Sequence, residues 1–320
     1  MGTVTTVTGD IPASRIGFCQ PHEHVYINAT IALRDHPELR LTDFRKSLDE
    51  LKMARVAGCD SLVDAQPGGA GRDAVVLRDA SRLSGVNIIA STGYHLPFFY
   101  PDDHWINIEA EDSLASHFAS EITDGMFLGG GFAQPDIRTS IRAGVIKAAL
   151  FDASVSGRNA ALLRSAGHAA VATGAPILLH TDKGLGALEA LKLLDDLGLP
   201  PHRVMVCHVD RQATDYGIHN AVAESGAYLE YDTITLFEHH DNAEEVLLID
   251  HMIQRGYLEQ LLLSTDPTAD RLKSHGSPVG MDYLLTSFLP LLRAFGIPDT
   301  AIDCMCRANP AHALERIPTR

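Results

Sequence analysis

Positive charge is what this chain is shortest of. Its 26 lysines and arginines stand against 41 aspartates and glutamates, a formal net charge of −15 with all 16 histidines neutral. A surface of that sign repels polyanions, which excludes a general nucleic-acid binder and leaves room only for local basic spots that hold a small anion. Long apolar runs are missing too. None approaches the roughly 20 residues a membrane span needs. The amino terminus, "MGTVTTVTGD", has neither a basic n-region nor an apolar h-region, so no signal peptide is read there; its loose M-G-x-x-x-T myristoylation pattern is one that chance often produces. Cysteine is sparse and unpatterned. Cys19, Cys59, Cys207, Cys304 and Cys306 are odd in number, form no CxxC pair, and read as reduced thiols of a cytoplasmic protein, which excludes a disulfide framework and a zinc knuckle. No GxGxxG follows an apolar run, so a dinucleotide site has no support, and "GMFLGGGFAQ" reads as a flexible loop. There is no Ser-, Gly- or Pro-rich linker and no dividing repeat; residues 1–320 are expected to form one domain.

What the chain does have is alternation. Eight short apolar runs, "RIGFCQ", "DSLVDA", "VNIIASTG", "GVIKAALF", "APILLH", "RVMVCH", "GAYLEYD" and "QLLLSTD", are each followed by a stretch with helical periodicity. Several of those stretches begin beside Asp, Thr or Gly and end on Gly, as helix caps prefer. Runs too apolar to face water on either side, eight times strand then helix, predict an α/β fold of the (β/α)8 TIM-barrel type; an open doubly wound sheet is the alternative. The preceding "TVTTVTGDIPASRIG" alternates Thr and Val and then turns, which predicts a short N-terminal β-hairpin under the barrel.

The polar residues at the ends of these runs carry the chemistry. The first run ends in "QPHEHV", where His22 and His24 project to one side because strand side chains alternate with period two. Lys147 lies within the fourth run, His180 ends the fifth, His208 the sixth and Asp266 the eighth. In a parallel barrel these carboxyl ends converge on one face, where active sites sit. Imidazole and carboxylate are ligands of zinc-like divalent ions. Each residue alone has an ordinary explanation, a core histidine or a turn-forming aspartate; six coinciding at strand ends point to a shared site. Lysine is the anomaly, since a buried ammonium repels a cation and is expensive to desolvate. Carbamylation by CO₂ would convert it into an anion with two oxygens. The remaining histidines weighed, His36, His104, His117, His168, His239, His240, His251, His275 and His312, are expected to be solvated, and "EHHD" at 238–241 reads as a polar helix start.

This constellation, with "TGDIPASRIGFCQPHEHV", "AGVIKAALF", "ILLHTDKG", "RVMVCHVDR", "LEYD", "LLLSTD", "GMDYLLTSFLPLLR" and "NPAHAL" in order across nearly the whole chain, resembles the phosphotriesterase family of the amidohydrolase superfamily. The resemblance implies two divalent ions, Zn²⁺ or else Mn²⁺, Co²⁺ or Fe²⁺. One would be held by His22, His24 and Asp266 and the other by His180 and His208, with N6-carboxylated Lys147 and a hydroxide between them. It implies a hydrolase in which the hydroxide attacks a carbonyl or phosphoryl group and Asp266 takes and returns the proton. Lactones and carboxylic esters head the substrate classes, with N-acyl amides and phosphoesters as alternatives and an idle binding protein as the non-hydrolytic one. The Asp-His relay of phosphotriesterases proper is missing, since Thr233 follows Asp232 in "EYDTI", and "HVDR" is closer to the lactonase-like branch. Arg211, Lys183, Arg271 and Lys273 are candidates to hold an anionic substrate tail, Arg211 alternatively pairing with Asp210 or Asp232. Tyr94 is expected near the metals. Phe98, Phe99, Tyr100 and Trp105 are expected to line an apolar pocket wall or a homodimer interface.

Overall fold

All eight apolar runs become strands of one sheet. In the computed structural model, which describes residues 2–28, 30–129 and 134–317, an antiparallel hairpin, β1 (Thr3–Thr6) and β2 (Gly9–Pro12), precedes β3 (Cys19–Glu23), β4 (Ser61–Asp64), β5 (Asn87–Gly93), β6 (Val145–Ala149), β7 (Ile177–His180), β8 (Val204–Cys207), β9 (Tyr228–Tyr231) and β10 (Leu261–Leu263). β3 to β10 pair in chain order, every pairing parallel. Helices occupy the connections at 44–57, 74–84, 111–123, 157–173, 187–196, 217–224 and 242–254. This is the predicted eight-fold strand–helix barrel with its hairpin. Of "GMFLGGGFAQ", residues 130–133 lie outside the described residues.

The alternation within each strand sorts side chains into two apolar compartments. Ile146, Ala148, Ile177, Leu179, Val204 and Val206 face the helices. Val145, Leu178, Met205, Cys207 and Leu262 fill the barrel interior, where Val4 of the hairpin, Ala13 and Ile16 close its lower end. Parity places Lys147 inside: it follows Val145 by two and lies between two residues of the outer compartment. β3 is irregular, its register with β4 shifting between Gln20 and Glu23. The shift changes the inward set from the odd Cys19 to the even His22 and His24.

Strands β3 and β10 close the barrel largely through polar contacts. Ser264 Oγ accepts from the His22 amide at 2.9 Å and donates to Glu23 Oε1 at 2.8 Å, while the Asp266 amide donates to the His22 carbonyl at 3.1 Å. Glu23 also accepts from the Thr265 amide at 3.0 Å and from the Gln20 amide group at 3.0 Å. Burial raises its carboxyl to about 8, against the pull of these donors. The residue between the two histidines therefore fastens the last strand to the first, beside the site. Caps fix the helix starts. Asp43 and Asp73 accept from the second and third amides of their helices, and Asp241 with Glu244 forms a reciprocal capping box, so "EHHD" is a helix start as expected.

Candidate metal centre

The six strand-end residues meet. The His22 and His208 rings are 4.8 Å apart, His180 and His208 4.4 Å, and His22 and His24 5.9 Å between centroids. Lys147 Nζ is 3.1 Å from His22 Nε2, and His208 Nε2 is 2.7 Å from His180 Nδ1. Asp266 Oδ1 is 3.2 Å from His24 Nε2 and 3.8 Å from His22 Nε2. All six are buried, Lys147 completely. The four histidines and Asp266 form the floor of a cavity of about 580 Å³ whose wall includes Phe98, Phe99, Arg211, Leu236 and Arg271, and Lys147 lies beneath that floor against His22.

The protein holds this floor at a cost. His208 and Asp266, both non-glycine, adopt φ of +61° and +42°, a region that costs on the order of 1–3 kcal/mol. Asp232 accepts from the His208 amide at 3.1 Å, and the Arg271 guanidinium donates to the carbonyls of Asp266 and Thr265, which pins both turns. A second layer fixes the rings. His208 Nδ1 is 2.7 Å from Asp232, and His22 Nδ1 lies between Glu230 at 3.0 Å and Asp232 at 2.9 Å. Each carboxylate therefore holds the Nδ1 proton and leaves Nε2 as the free donor facing the other site residues, the outer-shell pattern of metal-binding histidines.

The donor chemistry fits divalent cations. Burial, followed by repulsion from Lys147, holds His22 and His180 well below the usual imidazole range, and burial followed by Arg211 does the same to His208. They are neutral imidazoles at pH 7. Burial acts to raise Asp266, but a hydrogen bond from His24 and the charges of His22, His24 and Arg271 hold it well below the carboxylate range, as an anion. The buried His24 Nδ1 has no hydrogen-bond partner among the described residues. Burial raises Glu230 to about 8, and burial helped by the charges of Asp210 and Glu230 raises Asp232 well above the usual carboxylate range. So many buried carboxyls at one place call for positive charge beyond a single lysine. His22, His24 and Asp266 bring three ligand atoms within 4.8 Å of one another.

Several expected contacts lie elsewhere. Tyr94 is fully buried in the compartment between sheet and helices and does not line the cavity; His95, which sequence reasoning passed over, does. Period two itself gives this result: Ile89 lies in the barrel interior and Gly93 pairs with the inward Lys147, so His95 follows on the inner face, while Ile88, Ala90 and Tyr94 face the helices. Gly93 leaves room for the neighbouring strand, since a Cβ there would stand 2.0 Å from the Lys147 carbonyl. The His95 ring stacks on Phe99 at 4.3 Å and stands 5.5 Å from His180, and its Nδ1 accepts from the Leu96 amide at 2.7 Å. Trp105 is buried against His104 and His117 away from the cavity, and Tyr100 is buried with its hydroxyl accepting from the His95 amide. Of the four aromatics only Phe98 is exposed. Lys183 is exposed and off the cavity, and Lys273 pairs with Asp282 at 2.6 Å. Arg271 lines the cavity but spends its guanidinium on the loop. Arg211 lines it with looser contacts, 3.7 Å to Asp266 and 3.8 Å to Asp182, and pairs with neither Asp210 nor Asp232; its buried Nε has no partner among the described residues. His104, His117 and His240, expected in solvent, are buried. All five cysteines are unpaired.

A closed parallel barrel with neutral imidazoles, a carboxylate and a buried lysine at the carboxyl ends of its strands has the design of a metal-dependent hydrolase. The chain matches the family model of the phosphotriesterase family over residues 2–314 and belongs to that family of metal-dependent hydrolases. It is 27% identical over 321 residues to a phospho-furanose lactonase of Mycoplasmopsis synoviae, covering 97% of this chain and 90% of that one. It is 28% identical over 297 residues to the phosphotriesterase homology protein of Escherichia coli, covering 92% and 97%. Among solved structures, an amidohydrolase from Mycoplasma synoviae superposes with a TM-score of 0.91 at 26% identity, over 100% of this chain and 93% of that one. No helix among the described residues is long and apolar enough to cross a membrane.

Proposed function

We propose that the chain is a binuclear-metal hydrolase of lactones or carboxylic esters that carry an anionic tail. The observation that carries the reading is the gathering of four imidazoles and Asp266 on the floor of one cavity, with Lys147 directly beneath His22 and a loosely engaged arginine in the wall. His22, His24 and Asp266 would hold one cation, His180 and His208 the other, and Lys147, carboxylated on Nζ, would serve both. Carboxylation removes the one feature that fits poorly, a buried amine 3.1 Å from a ligating nitrogen. Bound divalent ions supply Lewis acidity toward the substrate carbonyl and ease the ionisation of water near neutral pH.

The chain's own residues do the rest. Asp266 takes the proton from the attacking water and delivers it to the ring or ester oxygen as the carbon–oxygen bond breaks, acting as base and then acid. Glu230 and Asp232 keep His22 and His208 in the ligating tautomer. Arg211 receives the anionic tail, and Phe98 and Phe99 cover the apolar part of the substrate and exclude water. A carbonyl substrate is favoured over a phosphotriester because Thr233 stands where phosphotriesterases proper carry the histidine that follows this aspartate. The lactonase named among the relatives supports the same choice. Acid release from a panel of lactones, esters, N-acyl amino compounds and phosphoesters, each with and without a charged tail, tests the reading. Activity confined to amides or phosphoesters, or none with fully loaded metal, would overturn it.

A further inference from the structure

A second buried donor cluster lies outside the six residues of the candidate centre. Asp210 on the turn after β8, His240 on the turn before the helix 242–254, and Glu245 on that helix's first turn are all buried, and their ligand atoms lie within 4.8 Å of one another. The cluster is under-satisfied as it stands. Both Glu245 carboxylate oxygens and Asp210 Oδ1 are buried without a hydrogen-bond partner among the described residues. Asp210 Oδ2 accepts from the Thr233 amide at 2.6 Å. Glu245 itself is fully buried, where an unpaired anion is not tolerated.

The spacing is close to that of ligands around one ion. His240 Nε2 is 3.4 Å from Glu245 Oε2 and 3.9 Å from Asp210 Oδ2, and its one hydrogen-bond partner among the described residues is the Thr233 hydroxyl at 3.4 Å. Ligand atoms around a tetrahedral ion with bonds of 2.0–2.1 Å stand about 3.4 Å apart. The ring's orientation agrees: His240 Nδ1 lies 3.3 Å from the Asp241 carbonyl, which can only accept, so the neutral ring keeps its proton there and turns a lone pair on Nε2 toward two carboxylates. Three lone-pair donors facing one another repel unless a cation lies among them. Two carboxylates and one imidazole carry a charge of −2, which one divalent ion neutralises.

We propose that Asp210, His240 and Glu245 bind a further divalent cation of the zinc class, separate from the catalytic pair and structural in role. The site has no route to the cavity through these residues, all three of which are buried, and closed sites of this kind contribute to folding. The ion would tie the turns after β8 and β9 to the helix 242–254, bracing His208 and Asp232 from behind.

The test is metal counting on protein produced with zinc chloride in the medium, in a Lys147→Ala background that removes the bridging group of the proposed catalytic pair. Glu245→Gln in that background is expected to lower the zinc content by one equivalent per chain. The same loss is expected from Glu245→Gln in the otherwise unaltered protein. An unchanged count in both backgrounds overturns the proposal whether or not the catalytic pair exists. If the glutamine variant does not fold, anomalous diffraction from the unaltered protein above and below the zinc edge decides. A peak between the three side chains sustains the site; a featureless map there, with zinc in the medium, removes it.

Discussion

Lys147 is the residue on which the chemistry turns. An ammonium cannot ligate, and an alanine cannot bridge. Lys147→Ala is expected to lose most of the bound metal and to lower kcat/KM by roughly 10²–10³-fold, the several kcal/mol that Lewis-acid stabilisation supplies. Acetate or propionate, diffusing into the space left, is expected to restore part of both. Metal content and activity measured with and without the acid check this, and a variant that stays loaded and active without it means Lys147 is no ligand. Arg211 makes a narrower claim. Its long contacts with Asp266 and Asp182 leave it available to a substrate anion, and a charge-assisted hydrogen bond is worth about 1.5–3 kcal/mol. Arg211→Ala is therefore expected to raise KM about tenfold or more for lactones with an anionic tail and to leave uncharged ones little changed. An equal rise for both would make it a brace of the cavity rim.

At the scale of elements, the sequence was legible wherever one physical rule acted alone. Strands buried on both faces must be apolar throughout, so all eight stood out, and Asp43, Asp73 and Asp241 marked helix starts because a cap needs a short acceptor there. The site was legible for the same reason: period two carries His22 with His24, and puts Lys147 inside. Legibility ended where the phase of a strand's alternation was not fixed. With Ile89 in the barrel interior, period two puts His95 on the inner face and Tyr94 against the helices, and an apolar run such as "VNIIASTG" does not show by itself which of its two parities faces in. His104 and His240 were misplaced because helix starts packed against neighbouring segments bury polar residues that look solvated in a linear reading, and His117 because it lies on the face of the helix 111–123 that packs on Trp105 and Phe127. The pair Arg72–Glu121 was equally invisible, its members 49 residues apart. Arg72 donates to both oxygens of Glu121 at 2.8 and 2.7 Å, while Thr92 and the Phe127 amide complete the carboxylate's shell. Burial acts to raise Glu121, but Arg72 overcomes it and holds the carboxyl at about 2. A folded value below the unfolded one of about 4.5 stabilises the fold above that pH, and the stabilisation is lost as pH falls toward 2. Glu121→Gln is expected to cost about 3–5 kcal/mol at pH 7, since it leaves a buried guanidinium unpaired. Urea unfolding of both proteins at pH 7 and pH 3 checks the sign: the difference must narrow in acid.

Across the whole molecule the two ends of the barrel serve different purposes. The upper end gathers the ionisable groups, with backbone strain at His208 and Asp266. The lower end is apolar and closed, Val4 and Ile16 packing beneath Val63, Ile89, Val145 and Leu178. It is also where distant segments are joined: the Arg316 amide donates to the Thr3 carbonyl at 2.8 Å, the Ile317 amide to Gly174 at 3.0 Å, and Arg203 to the carbonyls of Gly174 and Glu315. Stability and chemistry are therefore expected to separate by position along the barrel axis. Val4→Ala removes fully buried methyl groups from this compartment and is expected to cost about 1–3 kcal/mol. Because the change lies at the opposite end from His22, His208 and Asp266, kcat and bound metal should stay at the unaltered level well below the transition. Thermal unfolding and steady-state kinetics on the same preparation check both halves. A lowered Tm with unchanged kcat is the expected pair of results; a fall in kcat that tracks the loss of stability would mean that the hairpin sets the geometry of the site as well as sealing the barrel beneath it.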